Sequence, residues 1–108
     1  MARGAAKDNP SRSGKSSAPR ISVVVVVYES GPTLAECLGA LRAQTFADYE
    51  LILVDNASSD RVAQTATKAD PTILLIENAW NLGFAAAVNQ AAARARGEWL
   101  VLLNPDAY

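Results

Sequence analysis

"ISVVVVVY", residues 21–28, decides the fold class. A strand with one face in water alternates apolar and polar side chains, and from Val23 onward this run does not alternate. Five consecutive valines need cover on both faces, which is the habit of a parallel strand flanked by helices. Three further runs share the pattern: "ELILVD" at 50–55, "TILLIE" at 72–77 and "EWLVLL" at 98–103. All four are filled by strand-forming apolar residues and bounded by polar or turn residues.

The segments between these runs have helical spacing. The first places Pro32 near its start, a Thr33-x-x-Glu36 capping pattern, and a stripe of Leu34, Cys37, Leu38 and Leu41. The second runs roughly from Asp60 to Ala69, behind Ser58 and Ser59 as caps and closed by Asp70-Pro71. The third carries Phe84, Ala87, Val88, Ala91, Ala92 and Ala95 on one stripe, with Gly97 placed to end the helix in a left-handed cap. The order β-α-β-α-β-α-β with short connections predicts right-handed crossovers on a mainly parallel sheet. That is an α/β, Rossmann-like half of a doubly wound fold.

Composition sets the limits. The chain has 108 residues, half of them hydrophobic, and a formal net charge of -1, values suited to one globular core over residues 21–108. Residues 1–20 differ: Arg3, Lys7, Arg12, Lys15 and Arg20 face only Asp8, among Gly, Ser, Ala and Pro. Such a segment buries too little apolar surface to offset its ordering entropy and reads as a disordered basic arm. A solvated leader is preferred for it over contact with an acidic membrane surface, and nucleic acid is not an expected partner. It lacks the continuous apolar core of a secretory signal, so the cytoplasm is the expected compartment. Cys37 is the only cysteine and there is no histidine, which removes disulfides, Ser-His and Cys-His pairs, and the usual zinc clusters. Cys37, on the apolar stripe, reads as core filler. Chemistry is left to carboxylates, amides, hydroxyls and backbone.

In open parallel sheets ligands bind beyond the carboxyl ends of the strands. Those ends are Tyr28-Glu29, Asp55-Asn56 with Ser58, Ser59 and Asp60, Asn78 through Gly83, and Asn104-Pro105-Asp106. No G-x-G-x-x-G and no G-x-x-x-x-G-K-[ST] follows the first strand, so a dinucleotide or P-loop phosphate site is disfavoured. Asn104 and Asp106, two residues apart in an extended segment, share a face, and Pro105 holds Asn104 extended. An amide and a carboxylate there suit Mg²⁺ or Mn²⁺ shared with a diphosphate, while turn chemistry explains the same three residues. Asp55 is surrounded by other candidate caps, which leaves it to accept a ring N–H from a base; capping its own loop is the plain alternative. Asn81 and Gly83 stand ahead of the third helix, where an anion such as diphosphate is favoured, although an Asn cap with a permissive turn accounts for them equally. Asn89, inside that helix, needs only a solvated polar face.

The sequence from Ile21 to Tyr108 resembles the amino-terminal half of family 2 glycosyltransferases with the GT-A fold, most closely the rhamnosyltransferase-like branch. The blocks that carry this are "ISVVVVVYES", "CLGALRAQTFADYELILVDNASSD", "ENAWNLGFAAAVNQAAARARGEW" and "LVLLNPDAY". The resemblance implies a nucleotide-diphospho-sugar donor, UDP- or dTDP-linked, bound by Tyr28, Glu29, Asp55, Asn56, Asn81, Gly83 and Asn104, with Asp106 holding the metal at the family's D-x-D position. Asn104 in place of the first Asp removes one negative charge from that position. The resemblance further implies inverting transfer to a glycan or lipid-linked acceptor in cell wall polysaccharide synthesis. It places a general-base carboxylate beyond Tyr108, so this chain is expected to be a truncated donor half that does not turn over alone. Peripheral association with the inner face of the membrane and a partner supplying the acceptor half go with it. The rival expectation is a non-catalytic α/β nucleotide-binding or regulatory module.

Overall fold

The computed structural model describes residues 2–6, 18–44 and 48–105, with backbone alone over 2–6. Its elements are β1 (Ala2–Ala6), β2 (Ile21–Val27), α1 (Pro32–Arg42), β3 (Tyr49–Asp55), α2 (Val62–Ala69), β4 (Leu74–Glu77), α3 (Phe84–Arg94) and β5 (Trp99–Leu103). The sheet order is β1-β5-β2-β3-β4. The pairs β5/β2, β2/β3 and β3/β4 are parallel, and β1 runs antiparallel to β5.

The valine run is buried from both sides, as its composition requires. Val23, Val25 and Val27 pack with Leu34, Leu38 and Leu41 of α1, Leu51 and Leu53 of β3 and Ala63 of α2. Val24 turns the other way, with Ile52 and Val54 of β3, against Ala87 and Ala91 of α3. Each fully buried valine or leucine contributes about 1.5–3 kcal/mol from area removed from water. Alanine at the α3 contact positions lets that helix approach the sheet closely. Cys37 is buried in α1, its thiol donating to the Asn104 carbonyl at 3.6 Å.

Within residues 1–20, Ala2–Ala6 pair with β5, whose open edge offers backbone partners to an extended segment, and residues 7–17 lie outside the described residues. Three local expectations are corrected by tertiary contacts. The Thr33-x-x-Glu36 box does not form: Gly31 caps α1 at φ 57° without a side-chain bond, and the Thr33 hydroxyl donates to the Ser30 carbonyl. α2 begins at Val62, not Asp60, behind Arg61 in the left-handed region. Gly97 is not a left-handed cap, since α3 ends at Arg94 and its capping residue, Ala95, has extended backbone.

The true reason for Gly97 lies at the amino end of the sheet. A Cβ there would stand 2.5 Å from the Ser22 backbone nitrogen and 2.6 Å from its Oγ. Ser22, fully buried at the start of β2, accepts the Gly97 N–H at 2.8 Å and donates to Glu50 Oε2 at 2.6 Å. Glu50 also accepts the Arg96 N–H and pairs with the Arg96 guanidinium at 3.2 Å. One cluster therefore ties β2, β3 and the turn into β5. Burial opposes ionisation of Glu50, but the Arg96 N–H, the Ser22 hydroxyl and the Arg96 guanidinium outweigh it and hold the carboxyl below its usual range.

Two outcomes follow from this cluster. Gly97→Ala is expected to destabilise the fold by about 1–3 kcal/mol through overlap with backbone, read from the denaturant midpoint. A carboxyl with a lowered folded-state pKa adds stability that is complete above its unfolded value and lost as pH falls through the folded one. The stability gap between wild type and Glu50→Gln should accordingly be widest near neutrality and narrow below pH 4.5, in unfolding curves taken across that range.

Candidate functional site

The chain reverses its path across the sheet once. From β2 it proceeds through α1, β3, α2 and β4, with α1 and α2 on one face, and α3 then carries it back over the other face to β5 on the far side of β2. Connections thus diverge between β2 and β5, and a crevice opens at their carboxyl ends. A cavity of about 450 Å³ lies there, within the range of small-molecule sites.

Tyr28, Glu29, Asn56, Asn81, Gly83 and Asn104, all singled out from the sequence, line this cavity. Pro105 lines it beside Asn104, and Asp106 lies outside the described residues. Ser30, Thr33 and Phe84 also contribute walls, though nothing in their sequence context marked them for binding. Glu29 is the only charged side chain in the lining among the described residues. Among the described residues no Lys or Arg lines it to meet an anion.

Asp55 is placed differently from the expectation. It is buried beneath the loop, Oδ1 accepting the Ser58 N–H at 2.9 Å and Oδ2 accepting from Gln64 Nε2 at 2.6 Å. The surrounding polar residues do not relieve it of capping, because they turn toward the loop after β2. Ser58 Oγ accepts the Glu29 N–H at 2.9 Å, the Ser59 hydroxyl donates to Glu29 Oε2 at 2.8 Å, and Asp60 accepts the Gly31 N–H at 3.0 Å. These cross-bonds fasten the loops after β2 and β3 into one unit. They also hold Glu29, Ala57 and Arg61 at positive φ, a conformation costly for residues with a Cβ.

A chain of carboxamides shapes the opposite wall. Asn56, buried, donates to the Gly83 carbonyl at 3.1 Å and accepts from Asn78 Nδ2 at 2.9 Å and the Leu82 N–H at 3.3 Å. Asn78 and Gln90 exchange reciprocal 2.8 Å bonds between the loop and α3. Asn78 is legible in the sequence only as a strand-end residue and Gln90 not at all; the available signal for the latter is a Gln beside Asn89 in a helix otherwise rich in alanine. Asn89 itself is exposed, as expected. Asn81 Oδ1 accepts the Gly83 N–H at 2.8 Å, and Gly83 takes φ 86° with no side chain capping α3. The first-turn N–H groups of α3 are left directed out of the helix at the wall that Gly83 and Phe84 form.

A second cavity, of about 390 Å³, lies near the amino ends of the strands beside Glu50, Asp70 and Arg96. Its ionic groups are satisfied by one another, Glu50 with Arg96 and Asp70 with Arg42, so it presents few partners to a ligand.

The family model for glycosyl transferase family 2 matches residues 22–108. The chain belongs to glycosyl transferase family 2. Among curated relatives, it is 35% identical over 94 residues to the "Putative glycosyltransferase EpsE" of Bacillus subtilis, covering 83% of this chain and 34% of the relative. It is 33% identical over 97 residues to an N-acetylglucosaminyl-diphospho-decaprenol L-rhamnosyltransferase of Mycobacterium tuberculosis, covering 80% and 32%. The chain therefore spans about a third of the length of these family 2 relatives. Its fold matches a mannosyltransferase of Pyrobaculum calidifontis in complex with GDP-Man and Mn²⁺, with TM-score 0.75 and 30% identity over 83% of this chain and 28% of that one. It also matches TarS of S. aureus in complex with UDP-GlcNAc, with TM-score 0.74 and 27% identity over 81% and 26%. The α/β fold expected from the valine run is thus that of the GT-A glycosyltransferases.

Within this family 2 domain, Asn56 is the hub of the cavity wall. Asn56→Ala leaves the Leu82 N–H and a Gly83 carbonyl lone pair without their partner and should cost about 1–3 kcal/mol. Amide exchange at Leu82 and Gly83, followed by mass spectrometry, should quicken more than exchange in β2.

Proposed function

We propose that this chain forms the donor site of a glycosyltransferase that moves a sugar from a nucleoside diphosphate to a glycan or lipid-linked acceptor. The observation that carries the proposal is the convergence of Tyr28, Glu29, Asn56, Asn81, Gly83 and Asn104 on one cavity at the point where the chain reverses across the sheet. Family membership supports it, as do the nucleotide sugars held by the two structural neighbours.

Cleavage of the sugar–phosphate bond adds one negative charge to the departing nucleoside diphosphate, at the oxygen that leaves the sugar carbon. The outward N–H groups of α3 face the developing charge with a favourable helix dipole. Asn81 and Gly83 shape that turn, Asn104 brings an amide to the same space, and Tyr28 and Glu29 border the nucleoside end. Asp55 acts in this scheme through the loop it holds. The lining lacks a cationic side chain among the described residues, which favours a divalent ion as counter-charge. Asn104 and Asp106 would hold it: an all-oxygen donor set suits Mg²⁺ or Mn²⁺ with phosphates and water completing the shell. When bound, the ion would neutralise charge on the leaving diphosphate.

Inversion at the sugar carbon requires a base on the face opposite the leaving group. We assign that base and the acceptor site to the part of the relatives' length that this sequence does not match. A lipid-linked acceptor would place the reaction at the inner face of a membrane; among the described residues no helix is long and apolar enough to cross one.

Calorimetric titration of the 108-residue chain with UDP, dTDP and GDP, each with and without Mn²⁺, tests this directly. Binding of one nucleotide should depend on Mn²⁺ and weaken by about tenfold or more in Asp106→Ala. A folded protein giving no heat with any of the three would refute the donor site.

A further inference from the structure

Phe84 is the one member of the α3 stripe that is exposed. Ala87 and Ala91 are fully buried against β2 and β3 and Ala95 packs beside them, whereas Phe84 opens the helix 62% exposed. Its ring is larger than any other side chain of α3, and its helix preference is below that of alanine, so neither packing nor propensity accounts for it. Exposed large apolar side chains are otherwise few. Of the five among the described residues, Tyr28, Trp80, Leu82 and Phe84 belong to the loops and helix start at the carboxyl end of the sheet. Tyr28 and Phe84 both line the cavity.

The cavity has two unlike walls. Tyr28, Glu29, Ser30 and Thr33 come from the segment leading into α1, while Gly83, Phe84, Asn104 and Pro105 come from the start of α3 and the end of β5. A diphosphate at the amino end of α3 would sit beside Phe84 and leave the group beyond it between that ring and the carboxamides of Asn81 and Asn104. A pyranose suits such a place. One face of the ring carries C–H groups, which an aromatic surface accepts by dispersion and exclusion of water, and its rim carries hydroxyls, which carboxamides meet as donor and acceptor.

We infer that Phe84 is a specificity-determining contact for the transferred sugar, its ring supporting the apolar face of the pyranose while Asn81 and Asn104 meet the hydroxyl rim. The assignment rests on the donor-site proposal above. It gives the Phe84 ring a role toward the sugar and none toward the nucleoside diphosphate.

The test compares three pairs of probes by calorimetry in the presence of Mn²⁺, UDP against UDP-glucose, dTDP against dTDP-glucose and GDP against GDP-mannose, on wild type, Phe84→Ala and Phe84→Tyr. With the pair that wild type binds, Phe84→Ala should weaken the nucleotide sugar by about fivefold to tenfold and leave the nucleoside diphosphate within about twofold, a loss on the scale of one aromatic contact. Phe84→Tyr, which keeps the ring, should restore sugar-nucleotide binding. Equal loss on both probes would overturn the inference by placing the ring against the nucleotide, and no loss on either would overturn it by leaving the ring without a ligand; in both cases the donor site itself stands. Wild type that binds neither member of any pair would remove the donor site and this contact with it.

Discussion

A strand that is apolar on both faces cannot exist without two covering layers, and β2 is such a strand. The remaining architecture answers that demand. α1 and α2 shield the Val23, Val25 and Val27 side, and α3 shields the Val24 side. To cover both faces the chain must cross from one to the other, and it does so through α3 on the way to β5. The crevice is a by-product of that crossing. Connections that leave neighbouring strand ends in opposite directions cannot fill the space between them.

The two ends of the sheet divide the work. At the amino end, Ser22, Glu50, Arg96 and Gly97 are locked into one cluster with short bonds and no room for an added methyl group. At the carboxyl end, side chains are spent on holding loops: Ser58, Ser59 and Asp60 on the loop after β2, and Asn56, Asn78 and Gln90 on the loop before α3. Every positive-φ residue among those described lies in these loops. The strain of Glu29, Ala57 and Arg61 is offset by the cross-bonds and fixes the cavity walls before any ligand arrives.

Strands and helices were legible because their signals are local. Runs of apolar residues and the Leu34, Cys37, Leu38, Leu41 stripe report burial directly, and the structure buries all four of that stripe. The strand-end principle then led to six cavity residues from four separate loops without any contact information. What failed depended on partners distant in sequence. Thr33 and Glu36 match a capping box, yet the entry to α1 is set by Gly31 and its bond to Asp60. Gly97 looks like a helix stop, but its constraint is Ser22, 75 residues earlier. Asp55 is surplus to its loop only if Ser58 and Asp60 cap it, whereas these are engaged with Glu29 and Gly31. Spacing along a chain cannot show which of several acceptors a given N–H will find.

The parallel pairing of β5 with β2 has a bearing on how the molecule comes to exist. Ile21 meets Trp99 across that pair, so the joint closes only after nearly the whole chain has been ordered, whereas β2, β3 and β4 pair between sequence neighbours. Long loop closure gives this joint the largest entropic cost of the parallel pairs. The cavity takes Asn104 and Pro105 from the end of β5, so it is complete only when that joint is made. A molecule that fills it draws the population toward the completed sheet by mass action, so occupancy and completion of the fold become a single equilibrium.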